Sequence, residues 1–227
     1  MTTYTASSRN EVVLRYGTSR NFDGDAFDGV NLEGVVLPAA RFAHATFKAT
    51  NLRRANLSET VFVDTILYEV SLRSATLVRA GLDTVRVVGS DLNEADLGGA
   101  RLSHARFERC SLMNLGLRGA RILAASFPHT DLYGSDLGDA RLIRVDFSDD
   151  GRGNASLIRA RLVAAVLIDV NFRHANLEGA DFTNATMLSV DFEGANLRGA
   201  DLRGAALVNV RLDGADMSGA RLADELV

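Results

Sequence analysis

The sequence predicts an all-β protein: a quadrilateral parallel β-helix of about ten coils with one looped-out insertion near residues 149–154. Three observations predict it. A bulky apolar residue recurs at every fifth position from Phe22 to Leu222, through Phe27, Leu32, Leu37, Phe42 and Phe47 and on to Met217. A small residue, most often Ala, stands two places before nearly every one of them. Residues twenty apart repeat like with like, as in Phe22, Phe42 and Phe62, or Phe107, Phe127 and Phe147.

A period of five suits neither a helix at about 3.6 nor a strand at about 2. Two inward positions in five, one bulky and one small, suit a chain that turns a corner in each pentad. Four such sides close a coil of about twenty residues, and coils stack through β-type hydrogen bonds at ~4.8 Å. The residue between the two inward positions is commonly Asp, Asn or Arg. Gly often closes the pentad, as in Ala195-Asn196-Leu197-Arg198-Gly199.

The register breaks once, at Arg152, where a buried unpaired guanidinium would be costly. Three ladders say how. Phe107, Phe127 and Phe147 continue at Phe172 and Phe192; Val145 continues at Val170, Val190 and Val210; Asp146 continues at Asn171 and Asp191. Each jumps twenty-five residues at the same step, so five residues near 149–154 leave the wall and the coil resumes on the same side. The rod is then about 48 Å long. Asp146-x-Ser148-x-Asp150-Gly151 matches the start of a calcium loop, but the twelfth position, which needs a bidentate Glu, holds Leu157; a Gly/Asp turn explains the stretch better.

Residues 1–19 precede the repeat and are expected to form an N-terminal cap on a solenoid spanning 20–227, with Val12, Val13, Leu14 and Tyr16 covering the first coil. After the last repeat only Ala223-Asp224-Glu225-Leu226-Val227 follows, too short for a capping helix. A second copy is therefore expected to cover that end through Leu222, Leu226 and Val227, giving a homodimer.

Bulk composition narrows the function. Charged residues are 24% and the net charge is −4, so nothing marks a direct nucleic-acid binder. Cys110 is the single cysteine, which excludes an internal disulfide framework and fits a reducing cytoplasm. No signal-peptide pattern or membrane-length apolar run is present, so a cytoplasmic protein without a membrane partner is expected.

The small-Asp/Asn-Leu/Phe-x-Gly pattern, over about residues 20–224, resembles the pentapeptide-repeat family. The resemblance implies a right-handed β-helix with the bulky and small positions inside. It also implies a non-enzymatic macromolecule-binding solenoid. Members of the Qnr type mimic duplex DNA in width and negative charge, occupy the DNA-binding saddle of DNA gyrase or topoisomerase IV, and give resistance to topoisomerase poisons. That is one reading of this chain. The other is a protein–protein scaffold or adaptor without DNA mimicry.

Outward positions are where either function must be written. Correcting for the five-residue jump aligns Leu123, Ile143, Ile168, Leu188 and Val208 in one outward column flanked by Val166 and Ala206, an apolar strip expected to be an interface. Arg101, Arg121 and Arg141 form a ladder beside it. Asp91 with Asp131, and Asp96 with Asp136, lie on the two other sides, either as acidic faces or as residues that satisfy turn backbone. Asp149, Asp150 and Arg152 in the insertion are further candidate partner contacts. Catalytic constellations are missing: His44, His104, His129 and His174 all fall at outward corner positions, and no phosphate loop is present. No enzyme activity, cofactor or metal site is expected.

Overall fold

A computed structural model describes residues 4–148 and 155–222. Every described pentad from Phe22 onward bends the chain through a corner, and each coil stacks in parallel on the next. The central bulky residue must point inward because its neighbours on both sides point out, as the period-two rule requires of any extended triplet. Each corner then needs a residue in the left-handed region. It is supplied as readily by His174 (φ 58°) or Arg79 (φ 57°) as by Gly194 (φ 65°). Many corners are closed by a hydrogen bond from the small inward residue back to the bulky one, such as Ala175 N–H to the Phe172 carbonyl at 3.0 Å. A positive φ at the third residue of such a turn is the type II requirement.

Two sheets give the coil its regular walls. One is built by β1 (Thr5–Ala6), β2 (Ala26–Asp28), β3 (Thr46–Lys48), β4 (Ile66–Tyr68), β5 (Arg86–Val88) and, later in the chain, β7 (Arg106–Glu108). The other is built by β6 (Arg101–Ser103), β8 (Arg121–Leu123), β9 (Arg141–Ile143), β10 (Val166–Ile168), β11 (Thr186–Leu188) and β12 (Ala206–Val208). Every pairing in both is parallel. The remaining walls are held by single parallel bridges, such as Asn31↔Asn51 and Val36↔Asn56.

The core is a column of stacked side chains. Phe22 and Phe42 stack at 5.2 Å, Phe42 and Phe62 at 5.0 Å, and Phe27 and Phe47 at 4.4 Å. A second stack runs Phe107, Phe127, Phe147, Phe172 and Phe192, each step 4.9–5.2 Å between ring centres. Where a small inward position carries a hydroxyl, that group donates to a backbone carbonyl, either in the coil below, as Thr65 to Phe42 at 2.6 Å and Ser135 to Leu112 at 2.8 Å, or in its own coil, as Thr130 to Phe127 at 2.8 Å. No buried side-chain polar atom among the described residues lacks a partner.

The segment expected to loop out lies outside the described residues, but its consequence is visible on all four walls. Arg141 pairs with Val166, Asp146 with Asn171, Asp131 with Ser156 and Asp136 with Arg161. These are the twenty-five-residue steps; elsewhere the step is twenty. Leu157, the residue that a calcium loop would need as Glu, is wholly buried.

The N-terminal segment is more ordered than the pentad pattern could say. β1 extends the first sheet by one strand, and α1 (Arg9–Thr18) is N-capped by Ser8, whose hydroxyl accepts the Glu11 N–H. Val12 is buried and Tyr16 packs on the core, its hydroxyl donating to the Pro38 carbonyl at 2.7 Å. Val13 and Leu14 are corrected: they are 45% and 74% exposed. A helix puts residues four apart on one face, so the face that carries Val12 and Tyr16 turns Val13 and Leu14 to solvent. No helix among the described residues is long and apolar enough to cross a membrane.

Candidate functional site: the apolar and basic wall

One wall differs from the others in chemistry. Strand registers align its first outward column as Arg101↔Arg121↔Arg141↔Val166↔Thr186↔Ala206. The second column aligns as Ser103↔Leu123↔Ile143↔Ile168↔Leu188↔Val208. The columns are two residues apart along each strand, about 7 Å. The apolar strip is therefore continuous, and it gains exposure along its length: Leu123, Ile143 and Ile168 are half-buried, Leu188 is 39% exposed and Val208 52%. Between the columns a groove of ≈ 530 Å³ is lined by Arg101, Arg121, Arg141, Leu123 and Ile143, with Ser103 and Ile122.

The arginines of this wall are unevenly held. Arg101 reaches Asp83 at 3.4 Å. Arg121 and Arg141 have no carboxylate within ion-pair distance among the described residues: one rung down and across the wall, where Arg101 finds Asp83, they meet Ser103 and Leu123. Unpaired guanidiniums in line with an apolar strip are what an interface leaves for its partner.

The other walls carry mixed and mostly satisfied charge. Asp91, Asp96, Asp131 and Asp136 each accept the N–H of the residue two places on, at 2.9, 2.9, 3.0 and 2.9 Å. This is the Asx turn, which spends one carboxylate oxygen on the pentad's own backbone. The columns do not run continuously acidic: Asp91 and Asp131 are separated by Ser111, and Asp96 and Asp136 by Gly116, with Arg161 following. Arg73 lies beside Asp91 and Glu94, at 3.8 and 3.0 Å. Asp149, Asp150 and Arg152 lie outside the described residues.

Sequence reasoning missed the ion pairs between coils, although a signal existed. Asp23–Arg41, Asp83–Arg101 and Glu193–Arg211 pair at 3.2, 3.4 and 3.1 Å, each with the basic residue eighteen places after the acid. Eighteen is one coil less two, the diagonal between the two outward columns of one wall. Missed too was Asp25, which occupies an inward position that usually holds Ala. It is 4% exposed and pairs with Arg15 of α1 at 2.5 Å. Burial pushes its carboxyl above the ordinary 3.8 despite the opposing pull of Arg15. Cys110 is buried packing, its thiol pushed up to about 11 by burial, so it carries almost no thiolate at neutral pH. His44, His104, His129 and His174 all sit at positive-φ corners.

A closed coil that stacks on itself, with its core committed to packing and its individuality confined to outward columns, defines a parallel β-solenoid of the repeat-protein class. The chain belongs to the pentapeptide-repeat family: the pentapeptide-repeat pattern matches in eight copies, over 26–62, 47–82, 90–122, 153–187 and 189–224. No curated protein matches as a relative. Among solved structures, the chain is similar to HetL, a pentapeptide repeat protein involved in heterocyst differentiation regulation in the cyanobacterium Nostoc, at 27% identity over 98% of this chain and 100% of that one, TM-score 0.35. It is similar also to full-length QnrB1, a plasmid-mediated fluoroquinolone resistance protein, at 18% identity over 88% and 94%, TM-score 0.39. A third is a pentapeptide repeat protein of the Arabidopsis thaliana thylakoid lumen, at 21% identity over 59% and 70%, TM-score 0.22. Superpositions this loose transfer neither a site nor a function.

Proposed function

We propose that this chain is a non-enzymatic binding rod that holds a protein partner against the wall built by β6 and β8 to β12. The observation that carries the reading is the register of that sheet, which brings Leu123, Ile143, Ile168, Leu188 and Val208 into one uninterrupted outward column. Elsewhere exposed large apolar residues are scattered, as with Val36 and the pair Ile66 and Tyr68. An extended apolar strip with charged flanks marks an interaction surface, whereas scattered ones do not.

Mimicry of DNA at gyrase or topoisomerase IV is the competing reading, and family membership is what favours it. It draws less from the surface. The candidate acidic columns are interrupted, their carboxylates serve turns, and one wall carries a ladder of arginines. Self-association through the last described coil is a separate proposal: Leu222 is 38% exposed and Leu207, Leu212 and Met217 are only partly covered, while Leu226 and Val227 lie outside the described residues.

Leu188→Arg tests the main reading. As a surface substitution it should change stability by no more than about 0.5 kcal/mol. Capture of the cellular partner should fall at least tenfold, with Ile66→Arg on the other sheet unchanged. Light scattering on the same samples should show self-association unaltered by Leu188→Arg if the end of the rod carries it. Inhibition of gyrase supercoiling by both the parent chain and Leu188→Arg would instead establish the topoisomerase reading and remove this one.

A further inference from the structure

We infer that this wall takes an acidic, amphipathic helix of a partner protein, laid along the rod axis, in place of a second copy of this chain. The inference rests on the reading of the wall as the binding surface and adds the chemistry of the occupant.

Periodicity argues for a helix. Rungs of the wall repeat at ~4.8 Å. A helix lying parallel to the rod axis presents one residue per turn at ~5.4 Å. The six-stranded sheet is about 24 Å from first strand to last, which a helix of about 16 residues would cover. The accumulated mismatch is about 3 Å, roughly half a rung, which rotamer choice absorbs. An extended segment laid the same way places same-side residues ~6.8 Å apart and loses about 2 Å at each rung, so it falls out of step within three.

Charge argues for acidity. Arg121 and Arg141 are directly paired neighbours in the strand register and have no carboxylate within ion-pair distance among the described residues. Carboxylates four apart on a helix are ~6 Å from one another, matching adjacent rungs of that ladder. Each can meet a guanidinium through paired hydrogen bonds. The apolar stripe of the same helix then faces Leu123, Ile143, Ile168, Leu188 and Val208.

The same charges argue against a second copy. A two-fold perpendicular to the rod axis lays the arginine rungs of one copy on the Val166, Thr186 and Ala206 rungs of the other. A two-fold along the axis, centred between the columns, lays Arg121 and Arg141 on Leu123 and Ile143 of the other copy. Either way guanidiniums lose water without gaining a carboxylate, which disfavours the contact.

The test uses the full chain and fluorescent 16-residue helical peptides with one leucine stripe, flanked by Glu in one and by Lys in the other. Fluorescence anisotropy should show the Glu peptide binding at least tenfold more tightly than the Lys peptide. Arg121→Gln/Arg141→Gln, with unchanged circular dichroism, should erase that preference. Leu188→Arg should weaken binding of the Glu peptide. Equal binding of the two peptides, still lost in Leu188→Arg, would overturn the acidic occupant while leaving the wall as the binding surface. No binding of either peptide, with partner capture unaffected by Leu188→Arg, would remove both. Tighter binding of duplex DNA or heparin than of the Glu peptide would overturn the inference in favour of a polyanion.

Discussion

Phe172→Ala should destabilise the rod by about 3 to 5 kcal/mol, the largest effect expected of any single substitution considered. Phe172 is wholly buried, stacks on Phe147 at 5.1 Å and Phe192 at 5.2 Å, and meets Phe182 edge-on at 6.2 Å. Truncation removes ring burial and leaves a cavity that the neighbouring rungs cannot close, because each is held by backbone bonds to coils on both sides: Phe147 N–H to Asn171, Phe172 N–H to Asp191. A stacked repeat is coupled through nearest neighbours, so the damage should also split the unfolding transition. Coils before Phe147 should unfold separately from those after Phe192. Phe172→Leu keeps a side chain common at this inward position and should lose less than about 1.5 kcal/mol. Guanidinium unfolding followed by circular dichroism reads both. A loss under about 1 kcal/mol for Phe172→Ala would mean that the twenty-five-residue step does not place Phe172 on Phe147.

Arg15→Ala should loosen the N-terminal coil by about 2 to 3 kcal/mol, short of the ~3–5 kcal/mol for a fully buried pair because Arg15 keeps contact with water. The substitution strands Asp25 in the first coil and removes the guanidinium from over Phe22, at 5.1 Å, and Tyr4, at 4.8 Å. The sign of the pH dependence follows from Asp25, whose carboxyl burial already raises above 3.8. Without Arg15 the folded-state value rises further. A carboxyl raised in the folded state binds more protons folded than unfolded, so stability falls as pH rises through that window. The variant's deficit should thus be full at neutral pH and shrink as pH drops toward 3.8. Arg15→Ala/Asp25→Ala should recover most of it, since Ala is the usual residue at inward small positions. Hydrogen exchange at Phe22, Gly24 and Ala26 reports this coil directly, through amides bonded to Arg41, Ala43 and Tyr4.

Much of this fold is legible in the sequence because one rule is applied at every step. Each pentad must turn, so Phe147 could be placed over Phe172 without knowing any coordinate. The insertion is legible for the same reason: a jump of five in three independent ladders has one geometric solution. What lies outside the rule is less legible. Val13 and Leu14 read as apolar cover, but the segment is helical and its inward face is chosen by the four-residue spacing of Val12 and Tyr16. Asp25 reads as an anomaly at an inward position until Arg15, ten residues earlier, is brought over it by α1. For the wall itself, the apolar column was legible from register. That Arg121 and Arg141 remain unpaired was not, because it depends on the diagonal contact between stacked coils, which gives Arg101 its Asp83 but gives Arg121 and Arg141 only Ser103 and Leu123.

The most direct measurement places a photo-crosslinking residue at position 188 and, in parallel chains, at positions 66 and 36, all three exposed apolar sites on different walls. Irradiation in living cells should give a discrete protein adduct from position 188 and none from the other two. Adducts of equal yield from all three walls, or an adduct from position 66 or 36 without one from 188, would contradict the claim that the wall of β6 and β8 to β12 is where this rod binds its partner.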